Sequence, residues 1–184
     1  MKQNLRGPAG PGNGAARLLG RVENLLPKDA EGNFLAFKPG ATGAEEKSDV
    51  VHDFLAYLAE QMTEMNKQKR TEIKRFLKWL QTEIGHDVTD LRQKTRIHDY
   101  HEGNLDDLLA ALRANDKALG RIAHRSDFQS DLRREFDRSV ALLAPLKARI
   151  AATDSLIDQV VYRLYGLTEE EVAIVADTGA GVNA

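Results

Sequence analysis

The sequence predicts an all-α protein. Apolar residues recur at steps of three and four over two long stretches, and no run of five or more residues alternates cleanly between apolar and polar. Helix-breaking residues are unevenly placed, with four of the five prolines lying in residues 1–47. The two long helices fall near 48–84 and 127–165. Pairing their apolar stripes antiparallel, with 104–122 packed alongside, gives an elongated helical hairpin or bundle.

Taken in order, residues 1–17 form a Gly/Pro-rich segment around Gly7-Pro8-Ala9-Gly10-Pro11-Gly12. Such a segment buries little apolar surface and loses much backbone entropy on ordering, so disorder is expected. Residues 18–47 read as a loop and short helix packing on the core. Ala15 to Leu26 form the helix, stopped by Pro27, and Asp29 to Pro39 form an extended loop carrying Phe34, Leu35 and Phe37. A helical domain over 48–177 follows. Ser48 is its N-cap, and Val51, Leu55, Leu58, Met62 and Met65 repeat with coiled-coil spacing. The pattern lapses over Asn66 to Glu72 and resumes with Ile73, Phe76, Leu77, Leu80 and Ile84, so the first long helix should measure about 55 Å. A weak helix is expected from Thr89 to Tyr100. Asn104 caps a clearer one, buried through Leu105, Leu108, Leu109, Leu112, Leu119 and Ile122. Ser126 and Gln129 form a capping box opening the second long helix, which Pro145 should kink or restart. That helix either runs on to Tyr165 or breaks near Thr153. Gly166 then ends it in a left-handed conformation, and Thr168 with Glu171 caps a last helix. Residues 178–184 are expected to be a flexible tail.

Composition narrows the function. The chain has 184 residues, 42% hydrophobic and 29% charged, with a formal net charge of −2. That balance excludes a protein that is strongly basic throughout, so any DNA contact must come from a local patch. The absence of cysteine excludes disulfides and zinc–thiolate sites and fits a reducing cytoplasm. The N-terminus carries no signal-like apolar run, and no window approaches membrane-spanning length. A cytoplasmic protein with no membrane partner is expected.

The strongest charge feature is the run Lys67, Lys69, Arg70, Lys74, Arg75 and Lys78, interrupted by one acid, Glu72. Lys67, Arg70, Lys74 and Lys78 fall on one helical face, where a cationic stripe can track phosphates. The competing reading is a solvated face balanced by acids from a neighbouring helix. Arg133, Arg134 and Arg138 lie among Asp131, Glu135 and Asp137 and read as an exposed ion-pair face. His98 and His101 match no established helix metal motif, and no metal or cofactor site is expected. The glycines at 10–14 follow no strand, which argues against a phosphate cradle, and no nucleophile motif occurs. The carboxylates Asp106-Asp107 and Glu169 to Glu171 lie in first turns of helices, where the dipole favours them. Trp79 reads as a core or interface anchor. No catalytic residue emerges.

The wording of Leu156-Ile157-Asp158-Gln159-Val160-Val161-Tyr162-Arg163-Leu164-Tyr165-Gly166-Leu167-Thr168 resembles the C-terminal helical region of type IIG restriction–modification enzymes and adenine-specific DNA methyltransferases. Leu25 to Phe34, Pro39 to Thr42, Lys47 to Leu55 and Met65 to Leu80 are similar to segments those proteins carry beyond the methyltransferase domain, so the resemblance covers about residues 18–177. Those enzymes use an Asn-Pro-Pro-Tyr-type loop to hold a flipped adenine and a glycine-rich loop for S-adenosylmethionine. Neither loop occurs in this sequence, nor does the Pro-Asp…Asp/Glu-x-Lys nuclease constellation. The resemblance therefore implies a non-catalytic helical accessory region of a bacterial DNA restriction–modification system, in truncated or split form. It would contact DNA weakly through the backbone and pack beside a methyltransferase or specificity module. The alternative is a structural hairpin that dimerises through Val51, Leu55, Leu58, Met62 and Met65 without nucleic acid.

Overall fold

A computed structural model describes residues 12–26, 28–30, 32, 34–35 and 45–180. Among them every regular element is helical apart from one isolated β-bridge between Lys28 and Phe34. The fold is all-α. The expectations for residues 1–11, Phe37 and 181–184 lie outside the described residues.

Seven α-helices occur among the described residues: α1 (Gly12–Glu23), α2 (Glu45–Ile84), α3 (Lys94–His98), α4 (Leu105–Arg113), α5 (Asp116–Leu119), α6 (Ser126–Leu164) and α7 (Glu169–Ala180). Helix α1 starts earlier than the expected Ala15, within the stretch read as disordered, and α7 takes in residues 178–180 of the expected tail. Helix α2 starts at Glu45, so Ser48 lies inside it rather than at its cap. It stays unbroken through 66–72, where the apolar pattern lapses, because Lys, Gln, Arg and Glu are good helix formers in their own right. Gly85, with φ 68°, then ends the helix. No helix among the described residues is long and apolar enough to cross a membrane.

The chain divides into two compact units, residues 63–150 and residues 1–62 with 151–184. Helices α2 and α6 contribute to both. Within 63–150 the two helices run antiparallel: Arg75 pairs with Glu135 at 2.9 Å, and Glu72, one turn back on α2, is hydrogen-bonded by Ser139, one turn on along α6. Phe76, Leu80, Ile97, Leu108, Leu112, Leu132 and Leu143 fill the core at 0–1% exposure, and Trp79 packs half-buried against it. This level of burial makes truncation of any one of them costly, at roughly 2–5 kcal/mol.

The segment between the long helices is more broken than its apolar pattern predicts. The helix expected over 89–100 resolves into a 3₁₀ turn at Val88–Asp90, α3, and a second 3₁₀ turn at Tyr100–Glu102. Gln93 separates the first two with a left-handed φ of 57°. The helix expected from Leu105 to Ile122 divides into α4, α5 and a 3₁₀ turn at Ile122–His124. Asn115 divides α4 from α5. Its buried amide accepts the Arg92 backbone N–H at 2.7 Å and donates to the carbonyls of Arg92 at 3.0 Å and Ala111 at 2.9 Å. Gly120 and Arg121, with φ 56° and 61°, end α5. Asn104 does cap α4, in a capping box with Asp107. Ser126 does not form the expected box, because the Gln129 amide donates to the Ala123 carbonyl instead. Pro145 sits inside α6 without ending it, and the helix continues to Leu164.

In the other unit Val22, Val51, Leu58, Leu156 and Val160 form a small core, with Leu55 packed against it. Val51, Leu55 and Leu58 of the stripe read as a self-association surface thus pack against the chain's own α1 and α6. Arg163 pairs with Glu23, and the Lys28 ammonium lies 4.5 Å over the Phe34 ring. Gly166 takes a φ of 63°, and Thr168 and Glu171 exchange capping hydrogen bonds at 2.8 and 3.3 Å, as their spacing predicts.

Candidate nucleic-acid interface

Successive residues of an α-helix turn by about 100°, which places Lys67, Arg70, Lys74 and Lys78 within an arc of about 80°. Met65, Ile73, Phe76, Leu77, Leu80 and Ile84 are the buried positions of the same stretch and take a different arc, centred about 120° away, with Leu77 bordering Arg70. All four cations are exposed. Glu64 lies 4.0 Å from Lys67, and the Arg70 Nε donates to the Asn66 carbonyl at 3.3 Å. Lys74 and Lys78 form no ion pair among the described residues.

The other two cations of the run have different surroundings. Arg75 turns toward α6. Its guanidinium donates to both carboxylate oxygens of Glu72 at 2.8 and 2.9 Å and to Glu135 at 2.9 Å. Arg75 is therefore held within the fold rather than offered to a ligand. Half-buried Lys69 acts electrostatically on His101 and Glu102. Of the three arginines read as an ion-pair face of α6, Arg134 pairs with Asp131 at 2.9 Å and Arg138 with Glu135 at 3.9 Å, whereas Arg133 forms no ion pair among the described residues.

Behind the exposed face lies a polar network that sequence reading missed. Tyr100 stacks on Phe76 with ring centroids 3.9 Å apart, and its hydroxyl is 2.6 Å from Ser139 Oγ. Ser139 in turn bonds Glu72. Burial pushes the tyrosine pKa up to about 12, so the phenol stays neutral and is a poor proton donor at ordinary pH. Burial would also raise the Glu72 carboxyl, but the hydrogen bonds from Arg75 and Ser139 outweigh it and hold the group ionised. This network cross-links α2, α6 and the Tyr100 turn. The one acid in the basic run, three residues before Arg75, was the signal that could have revealed it.

His98 is exposed beside Asp99, whereas the His101 side chain is 6% exposed. Its Nδ1 lies 2.9 Å from Glu102, without the alignment of a hydrogen bond. Lys147 donates to the His101 carbonyl and to Glu102. No group of three or more His, Cys, Asp or Glu among the described residues converges as metal ligands do.

Charge is divided along the chain. Residues 63–150 hold 18 Lys and Arg against 14 Asp and Glu, whereas the remaining sequence holds 8 against 14. The overall negative balance therefore conceals a positive unit, and α2 carries its densest cations.

A family model described as a domain of unknown function, DUF8810, matches residues 48–161, more than half of the chain. The chain belongs to the DUF8810 family. Neither a curated protein nor a solved structure matches it. The DUF8810 span contains the whole basic run of α2, the Tyr100 network and the Asn115 clamp.

Proposed function

We propose that this DUF8810 chain is a non-catalytic helical module of a DNA restriction–modification system. It contacts the DNA backbone through Lys67, Arg70, Lys74 and Lys78 and acts beside a methyltransferase or specificity module. The observation that carries the DNA contact is the exposed cationic face of α2, in a unit with a surplus of positive charge. The restriction–modification setting rests on the sequence resemblance. Arg75 is left out of the interface because Glu72 and Glu135 neutralise it, and Lys69 because it faces His101 and Glu102.

Each phosphate neutralised by a lysine or arginine adds about 0.9 to the slope of log affinity against log salt. Replacing Arg70, Lys74 and Lys78 together with glutamine should therefore lower that slope by about 2–3. Fluorescence anisotropy with labelled DNA at several salt concentrations measures it. An unchanged slope would remove these residues from the interface.

A further inference from the structure

Four neutral polar side chains accompany the cations along this part of α2, and each donates one hydrogen bond within the chain. The Thr71 hydroxyl donates to the Lys67 carbonyl at 2.8 Å, and Thr82 donates to the Lys78 carbonyl at 3.0 Å. The Gln68 amide donates to Glu64 at 3.1 Å, and Gln81 donates to Asp87 at 3.1 Å. Hydroxyls and amides are among the groups that read base edges in a groove, since they can both donate and accept. The aromatic residue of this stretch nearest the stripe, Trp79, is packed against Phe76 with ring centroids 5.8 Å apart. It therefore offers no open platform for stacking an unpaired base. Between residues 67 and 78 the exposed arc itself holds only charge: four cations along about 17 Å of helix axis, at 1.5 Å rise per residue. A straight cationic row of that length suits the regular phosphate ladder of a duplex, which carries one charge per about 1.7 Å of its axis.

We infer that the α2 face binds duplex DNA through its phosphates alone, without sequence preference. The module thus adds affinity to an assembly whose choice of target is made elsewhere. This rests on the DNA-contacting reading given above.

The test is an anisotropy titration of the full chain, at low salt, with four labelled probes of equal length. They are two duplex DNAs of unrelated sequence, one single-stranded DNA and one duplex RNA. The two duplex DNAs should bind within about twofold of each other, and the single strand more weakly by about tenfold, because it has lower charge density and no stacking platform to meet. Duplex RNA should bind comparably to duplex DNA. A more than tenfold difference between the two DNA sequences would overturn sequence-blind binding while leaving the DNA contact standing. So would a single strand binding as tightly as the duplex, and duplex RNA binding more than tenfold tighter would overturn the assignment to DNA. Absence of binding to every probe would overturn the DNA-contacting reading itself. Two variants tie the effect to this face: Arg70→Gln/Lys74→Gln/Lys78→Gln, and Thr71→Glu, which places an acid at the edge of the stripe. Both should weaken duplex binding by tenfold or more with the helical circular dichroism unchanged. Wild-type affinity in either well-folded variant would place the contact on another surface.

Discussion

His101 illustrates how a single side chain ties the fold to solution conditions. Its imidazole is held below the usual histidine pKa, first by burial and then by the positive charges of Lys147 and Lys69, with Glu102 and Asp99 opposing. The unfolded chain therefore takes up the proton more readily than the folded one. The corresponding stability is fully present above a pH of about 6.5 and declines as the pH falls through that value toward the lower folded pKa. Glu72 and Glu102 are held below the ordinary glutamate value of 4.5, so they stay ionised across this window. Denaturant unfolding at about pH 7.5 and about pH 5 should show a loss of stability in the wild type that His101→Gln largely removes. An equal loss in the variant would assign the pH dependence to other groups. Nothing in the sequence around His101 marks it as buried, since its neighbours Asp99 and Glu102 are charged. The stack of Tyr100 on Phe76 draws this turn onto the core.

At the scale of elements, the long helices were legible because their signals are local and redundant. Helix α2 carries apolar residues at helical spacing on both sides of a stretch that itself favours helix, and the Gly166–Thr168–Glu171 turn follows from residue chemistry alone. The segment from 88 to 124 was not legible at the same level. Its leucines from 105 to 119 repeat as in one continuous helix, but Asn115 binds both backbone groups of Arg92, which lies 23 residues earlier. That distant pairing, with Gly120 and Arg121 left-handed, divides the helix. Asn115→Ala should therefore destabilise the protein by about 2 kcal/mol, since buried backbone partners lose their bonds without gaining water. Chemical denaturation measures this. A change within about 0.5 kcal/mol would mean that the α4–α5 break is held by other contacts.

For the whole molecule, the distribution of charge carries more information than its total. The net charge of −2 is the sum of a positive unit over 63–150 and an acidic remainder. Exposed cations outside that unit should thus be irrelevant to nucleic acid: Arg17→Gln/Arg21→Gln, on the exposed side of α1, should leave duplex affinity and its salt slope unchanged. A loss matching that of the α2 variant would spread the interface beyond 63–150. By itself the sequence determined the all-α class, the long helices and the solvent-facing row Lys67, Arg70, Lys74 and Lys78, because periodicity and capping act within a turn or two of the chain. Only the tertiary structure decided that Arg75 is bound to Glu72 and Glu135, and that the Val51–Leu58 stripe is buried by the chain's own helices. It also decided that Tyr100 completes a polar network with Ser139. Each of these depends on residues tens of positions apart, whose approach is set by packing of the core and leaves no trace in local spacing.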